Sequence, residues 1–275
     1  MGSGDNGAFL SIIVTALGAS LVWALSKTIE GYNVQSYSIY GLAWFIASGL
    51  LTIVIGRALY FKSIVHLGAI RASAVNRLNP FFSVLLATIL LGGTITMQAG
   101  LGMLMIALSF GILISRVLSR RPHRHDNKEP PTLISYSFGT ASALAYAFGY
   151  TTRKFGLMHI ADSNPGTLVG AISGLVSYLL ACMFSRQYLE TLTTLPSTTT
   201  RWHALAAGFI SIGQIAQFAA IKYIEVSRAV VITSTEIFIS IFLSVYVVKT
   251  ERRPDLATMS AVGLASVGVA LVALR

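Results

Sequence analysis

The sequence predicts an all-α membrane protein made of two similar helical bundles, and three observations carry that prediction. Of the 275 residues, 54% are hydrophobic and only 11% charged, against roughly a quarter charged in soluble domains. With a mean hydropathy of +0.71, the chain has too few polar groups to cover a surface in water. Its apolar stretches also reach the length of about 20 residues that a helix needs to cross hydrocarbon. Finally, the chain repeats itself. Ile53, Ile55, Gly56, Phe61, Arg71, Ala72, Ser83 and Leu86 recur 157 positions later as Ile210, Ile212, Gly213, Phe218, Arg228, Ala229, Ser240 and Leu243. Upstream the offset slips by one residue: Asn6, Leu17 and Trp44 match Asn164, Leu175 and Trp202. An internal repeat in so apolar a chain marks two related membrane halves.

Taken in order, the apolar runs predict helices near 8–27, 38–65, 72–92 and 95–115, then 133–156, 164–186, 202–225, 229–249 and 256–274. Lys27, Lys62, Arg71, Lys222 and Arg228 stand near the ends of these runs, where long basic side chains reach the head groups. The long polar stretch between the fourth and fifth runs contains Arg120-Arg121-Pro122-His123-Arg124-His125 and reads as a solvated linker. The expected organisation is a first membrane repeat over 1–115, a basic linker over 116–131 and a second repeat over 132–275. The repeat pairs helix 8–27 with 164–186 rather than with 133–156. The first half therefore has four helices and the second five, which reads as a 5+5 architecture whose first helix is absent.

The net charge of +10 sits mostly at helix ends and in the linker. That placement reports orientation and lipid contact, not nucleic-acid binding. Cys182 is the only cysteine, so no disulfide framework is expected. Residues 1–7 carry no Lys or Arg, unlike a signal peptide, and Asn6 misses the myristoylation pattern. There is no HExxH, no Gly-rich nucleotide loop and no Ser/His/Asp arrangement, so no enzyme, cofactor or ATP-driven pump is predicted. His123, His125 and His159 lack supporting carboxylates or thiols, and no metal site is expected.

Two stretches resemble a known family. Tyr60-Phe-Lys-Ser-Ile-Val-His-Leu-Gly, then Arg71-Ala-Ser-Ala-Val-Asn-Arg-Leu-Asn-Pro80-Phe-Phe, are similar to the end of an EamA repeat of the drug/metabolite transporter superfamily. Leu90-Leu-Gly-Gly with Gln98-Ala-Gly-Leu-Gly resembles it too. So does the second copy, from Ala220 through Thr235-Glu236 and from Gly263 to Gly268. The chain departs from that pattern at Ile237, where the family has proline, near Gly93, where it has an acid, and in the lacking first helix. The resemblance implies a solute carrier whose inverted halves alternately open a central cavity to either side. It also implies a small-molecule solute and membrane lipid as partners, and the cell (inner) membrane as location; it leaves the oligomeric state open.

An ionisable residue at the bilayer centre costs about 2.5–3.5 kcal/mol, so it should face a partner or a wet cavity. Matched polar positions in the two halves are the candidates. Arg57 and Tyr60 match Gln214 and Gln217; Asn76 and Asn79 match Thr233 and Glu236. Each pair is spaced i, i+3 and shares a helix face, and Ser83 and Ser240 extend the second stripe. Interhelical hydrogen bonding is the competing role for such residues. Arg77 stands beside Asn76 as a partner for Glu236 or for a solute carboxylate. In 133–156, Tyr136 precedes Tyr146 and Tyr150, whose i, i+4 spacing offers an aromatic wall with hydroxyl donors; interface tyrosines are the alternative. Arg153-Lys154 reads as the water-facing end of that helix, and Trp44 and Trp202 as interface residues. Gly166, Gly170 and Gly174 line one face for close helix approach. Pro80 is expected to kink its helix.

The leading expectation is a secondary transporter, a permease or exporter, for a small polar or amphipathic metabolite such as an amino acid. A non-transporting membrane scaffold or assembly subunit and a lipid-carrier flippase are the alternatives. Loop charge puts the linker in the cytoplasm, whereas the family resemblance implies the reverse.

Overall fold

The computed structural model describes residues 4–30, 38–76, 78–91, 96–119, 133–160, 162–223, 226, 233, 236–247 and 255–273, and among these there is no strand. The helices are α1 (Gly4–Glu30), α2 (Ile39–Leu67), α3 (Ala69–Asn76), α4 (Leu78–Leu91), α5 (Met97–Ser119), α6 (Leu133–His159), α7 (Ser163–Phe184), α8 (Arg186–Thr198), α9 (Arg201–Tyr223), α10 (Glu236–Phe242) and α11 (Leu256–Ala273). At 1.5 Å per residue, the 27 residues of α1 extend about 40 Å, more than the roughly 30 Å of hydrocarbon. Five described stretches are long and apolar enough to cross a membrane: Phe9–Thr28, Ile39–Leu67, Arg71–Leu90, Ser163–Phe184 and Arg201–Tyr223.

Two expectations need correction. Residues 186–200 hold α8 rather than a plain connection. Its Tyr188, Thr191, Leu192 and Leu195 repeat on one face, and Leu195 is buried in a cluster with Phe9, Ile12 and Tyr178. Helix α5 runs on to Ser119, so the chain is still helical at the expected start of the linker; residues 120–131 lie outside the described residues. Pro80 is buried on α4, and residue 77, which precedes that helix, lies outside the described residues.

The helices form two compact units, Met1–Phe61 with Phe148–Val226, and Lys62–Ala147 with Ser227–Arg275. In the first unit, α1 packs on α7 and α9, and α2 packs on α7. The repeat maps α1 onto α7 and α2 onto α9, so the α1–α9 contact has its counterpart in α7–α2. The paired copies run in opposite directions. Lys27 near the end of α1 meets Asp162 at the start of α7, 3.8 Å apart, while Phe9 near the start of α1 stacks on Tyr178 near the end of α7. In the second unit α5 and its counterpart α11 are likewise antiparallel: Gly102 faces Gly268 and Val272, and the Ser109 hydroxyl donates to the Ala261 carbonyl at 2.7 Å. Antiparallel copies are what an inverted repeat requires.

Close approach rests on glycine. Gly166, Gly170 and Gly174 of α7 lie against Phe45, Gly49 and Ile53 of α2, each four residues further on. Without a hydrophobic drive between helices in lipid, such backbone proximity carries the packing. α2 also contains a π-helical stretch, Leu50–Gly56, whereas α9 is α-helical throughout. The repeat offset falls from 158 at Trp44/Trp202 to 157 at Ile53/Ile210, so α2 holds one residue more across that interval. The wider turn, which starts within it, takes up the extra residue.

Two predictions follow from this packing. A Cβ at Gly49 would strike Ser173 Oγ and the Gly170 carbonyl, whereas one at Gly170 would meet only ordinary contacts beyond 3.5 Å. G49A should therefore cost about 1–3 kcal/mol by overpacking and G170A nothing, as read from thermal unfolding in detergent. Gly68, which ends α2 with φ 80°, sits in the left-handed region that side chains resist. G68A should lose about 1–2 kcal/mol in the same measurement.

Candidate functional site

The polar residues of the first unit gather on the buried faces of α1, α2, α6 and α9. On α2, Phe45, Ser48, Gly49, Thr52, Ile53, Gly56 and Arg57 are all buried. Arg57 directly follows the π-helical stretch and is 2% exposed. Its Nη1 donates to Ser11 Oγ of α1 at 2.8 Å. The Ser11 carbonyl accepts from Thr15 Oγ1 at 2.6 Å, and Thr15 Oγ1 lies 3.0 Å from Ser211 Oγ of α9. A continuous polar chain thus runs from a guanidinium on α2 through α1 to α9. Gln217 is buried on α9, Tyr150 is buried on α6, and Tyr60 and Gln214 are half-buried.

A second polar centre lies on α6. Arg153 is 1% exposed, the largest of the fully buried side chains. Its guanidinium carbon sits 4.0 Å from the centroid of the Phe218 ring of α9 and 5.5 Å from that of Tyr150. Its Nε donates to Ser48 Oγ of α2 at 3.4 Å, and the Ser48 hydroxyl donates to the Gly149 carbonyl at 2.9 Å. This overturns the reading of Arg153-Lys154 as a water-facing helix end. α6 continues for six residues beyond Arg153, to His159, and glycine at 149 and 156 lets α2 approach on either side of it.

In the second unit Asn79 is buried and its Oδ1 accepts from Ser83 Oγ at 3.0 Å. Glu236, at the start of α10, is exposed and accepts from Ser73 Oγ of α3 at 3.2 Å. Asn76 is half-buried, Tyr136 and Tyr146 are buried and Thr233 is exposed. Arg77, named as a partner for Glu236, lies outside the described residues. Trp44 and Trp202 are exposed.

Ser11, Thr15, Ser48, Ser211 and Arg153 were not singled out from the sequence. The filter of matched polar positions cannot find Arg153, because α6 has no counterpart in the first half. It also misses Ser11 and Ser48, whose counterparts Val169 and Ala206 are apolar. The i, i+4 pair Ser11/Thr15 on an otherwise apolar helix was the available signal.

No curated protein matches the chain. Solved structures do match it: one, described as "Crystal structure of protein", aligns over 97% of this chain and 87% of its own with 17% identity and a TM-score of 0.62. At that identity the likeness speaks for the fold alone. The family model described as "EamA-like transporter family" matches residues 7–115 and 133–274, one repeat in each stretch. With both repeats matched and their copies running antiparallel across the bundle, the chain belongs to the EamA-like transporter family of integral membrane proteins, within the drug/metabolite transporter superfamily.

Proposed function

We propose that the protein is a secondary carrier that moves a small polar or amphipathic metabolite, an amino acid among the solutes that fit, across the cell (inner) membrane by alternating access. The observation that carries this reading is Arg57, a nearly fully buried charge in a membrane-crossing helix. Its cost of about 2.5–3.5 kcal/mol on insertion scales is the mark of a functional residue. The π-helical stretch that delivers it is a feature frequent at functional sites. The inverted arrangement of the repeats is the architecture that lets one set of helices serve both membrane faces in turn.

The residues proposed to meet the solute are Arg57, Tyr60, Gln214 and Gln217 on α2 and α9, Tyr146 and Tyr150 on α6, and Asn76, Arg77, Asn79, Thr233 and Glu236. Glu236 supplies an acidic group within the apolar run 229–249, and with it a place for a coupling proton or for the ammonium group of a zwitterion.

Protein reconstituted in liposomes and offered a panel of labelled metabolites tests the proposal. Wild type should accumulate at least one solute, and R57Q and E236Q, folded as judged by their unfolding midpoints, should each lower its flux at least about tenfold. Absence of flux for every solute, together with a tightly bound protein partner, would make the chain a scaffold instead. Flux of lipid-linked cargo alone would make it a flippase.

A further inference from the structure

The two copies of the repeat put their buried hydroxyls to two different uses. Thr15 of α1 matches Ser173 of α7, and both donate to a carbonyl of their own helix. Thr15 Oγ1 reaches the Ser11 carbonyl at 2.6 Å, and Ser173 Oγ reaches the Gly170 carbonyl at 2.8 Å. A hydroxyl with that local use is kept in both copies. Ser11 differs. It is fully buried, and its hydroxyl accepts from Arg57 Nη1 at 2.8 Å. In the inverted copy the matching positions hold Val169 and Gln214. Charge and hydroxyl acceptor are thus present together in one copy and absent together from the other. The helix itself does not require an oxygen here, since α7 forms and packs with valine at that position.

Arginine keeps its charge on burial and offers its N–H groups in a rigid planar fork. Holding one of those groups in a short, charge-assisted bond sets the direction of the whole fork. The oxygen that does so here is itself held from two helices. Thr15 of α1 and Ser211 of α9 both donate to the Ser11 carbonyl, at 2.6 and 3.5 Å. We infer that Ser11 is a positioning residue for Arg57, its hydroxyl aiming the guanidinium at the solute. This rests on the carrier reading, in which Arg57 meets the solute, and deepens it. Affinity is then set in part from α1, a helix that carries none of the residues proposed to touch the solute.

The first readout is nuclear magnetic resonance of isotope-labelled arginine in the full chain, purified in detergent. Arg57, identified by the loss of its signals in R57K, should show two separate Nη resonances, because its rotation about Nε–Cζ is restrained. S11A should merge them, and S11T, which keeps the oxygen, should not. S11C, whose sulfur is a weak acceptor of similar size, should merge them too, which keeps the idea testable if S11A folds poorly. S109A removes another buried hydroxyl that ties two helices and should leave the Arg57 signals separate. The second readout is uptake into liposomes, with labelled serine, glutamate and lysine as probes. For the probe transported, S11A should raise the half-saturating concentration about tenfold at unchanged maximal rate, and S109A should not. Arg57 signals that stay separate in S11A, or are already merged in wild type, would overturn the inference. So would a half-saturating concentration that S11A leaves unchanged, or a loss confined to the maximal rate. Wild type that moves no solute at all would refute the carrier reading and leave the positioning to be decided by the resonances alone.

Discussion

In hydrocarbon a polar group has no water to fall back on, and each hydrogen bond must be found within the chain. The hydroxyls of Thr15, Ser20, Thr52, Thr88, Thr140, Thr167, Ser177 and Ser266 all donate to the carbonyl four residues earlier. That local bond leaves the helix surface free to pack by shape alone. Against this background the hydroxyls that reach elsewhere stand out: Ser48 to α6, Ser109 to α11, Ser73 to Glu236. Each ties two helices together where a bond within its own helix was available. At Ser48 and Ser109 the glycine contacts, Gly149 against Thr52 and Gly102 against Gly268, bring backbones close enough for such short side chains to span the gap.

Much of this was legible in the sequence. The repeat foretold which helices are related, and the row Gly166, Gly170, Gly174 foretold a close neighbour, here the row Phe45, Gly49, Ile53. The helix α8 was legible in principle, since Tyr188, Thr191, Leu192 and Leu195 follow helical spacing. They were masked by the surrounding threonines and by Pro196, a residue that reads as a helix breaker yet lies inside α8, the third residue from its end. Arg153 was misread for a more basic reason. An Arg-Lys pair near the end of an apolar run has the composition of an interface, and only the partner helix decides whether the side chain meets water or Phe218. The Ser73–Glu236 bond was illegible for a similar reason, because neither stripe of matched polar residues contains Ser73.

The repeat is also imperfect in an informative way. Arg57 aligns with Gln214, so an inverted pair of positions holds a charge in one copy and a neutral amide in the other. The extra residue taken up by the π-helical stretch sits just before the charged member. A wider turn alters the direction in which following side chains leave the helix, and here the residue that follows is the guanidinium bonded to Ser11. Duplication supplied equivalent scaffolds, and a single additional residue made one of them unlike the other at the position of highest charge.

The helix α8 breaks the symmetry on a larger scale. Between their matched positions the two copies use almost the same length of chain. The first uses it to lengthen α1 and α2, while the second ends α7 earlier, begins α9 later and folds the surplus into a separate thirteen-residue helix. Because the copies are inverted, these differing ends emerge on opposite sides of the bilayer. For a carrier of the kind proposed, ends so unlike would leave a ratchet-like bias: the energies of its two access states would have no reason to be equal, even before any gradient acts on them.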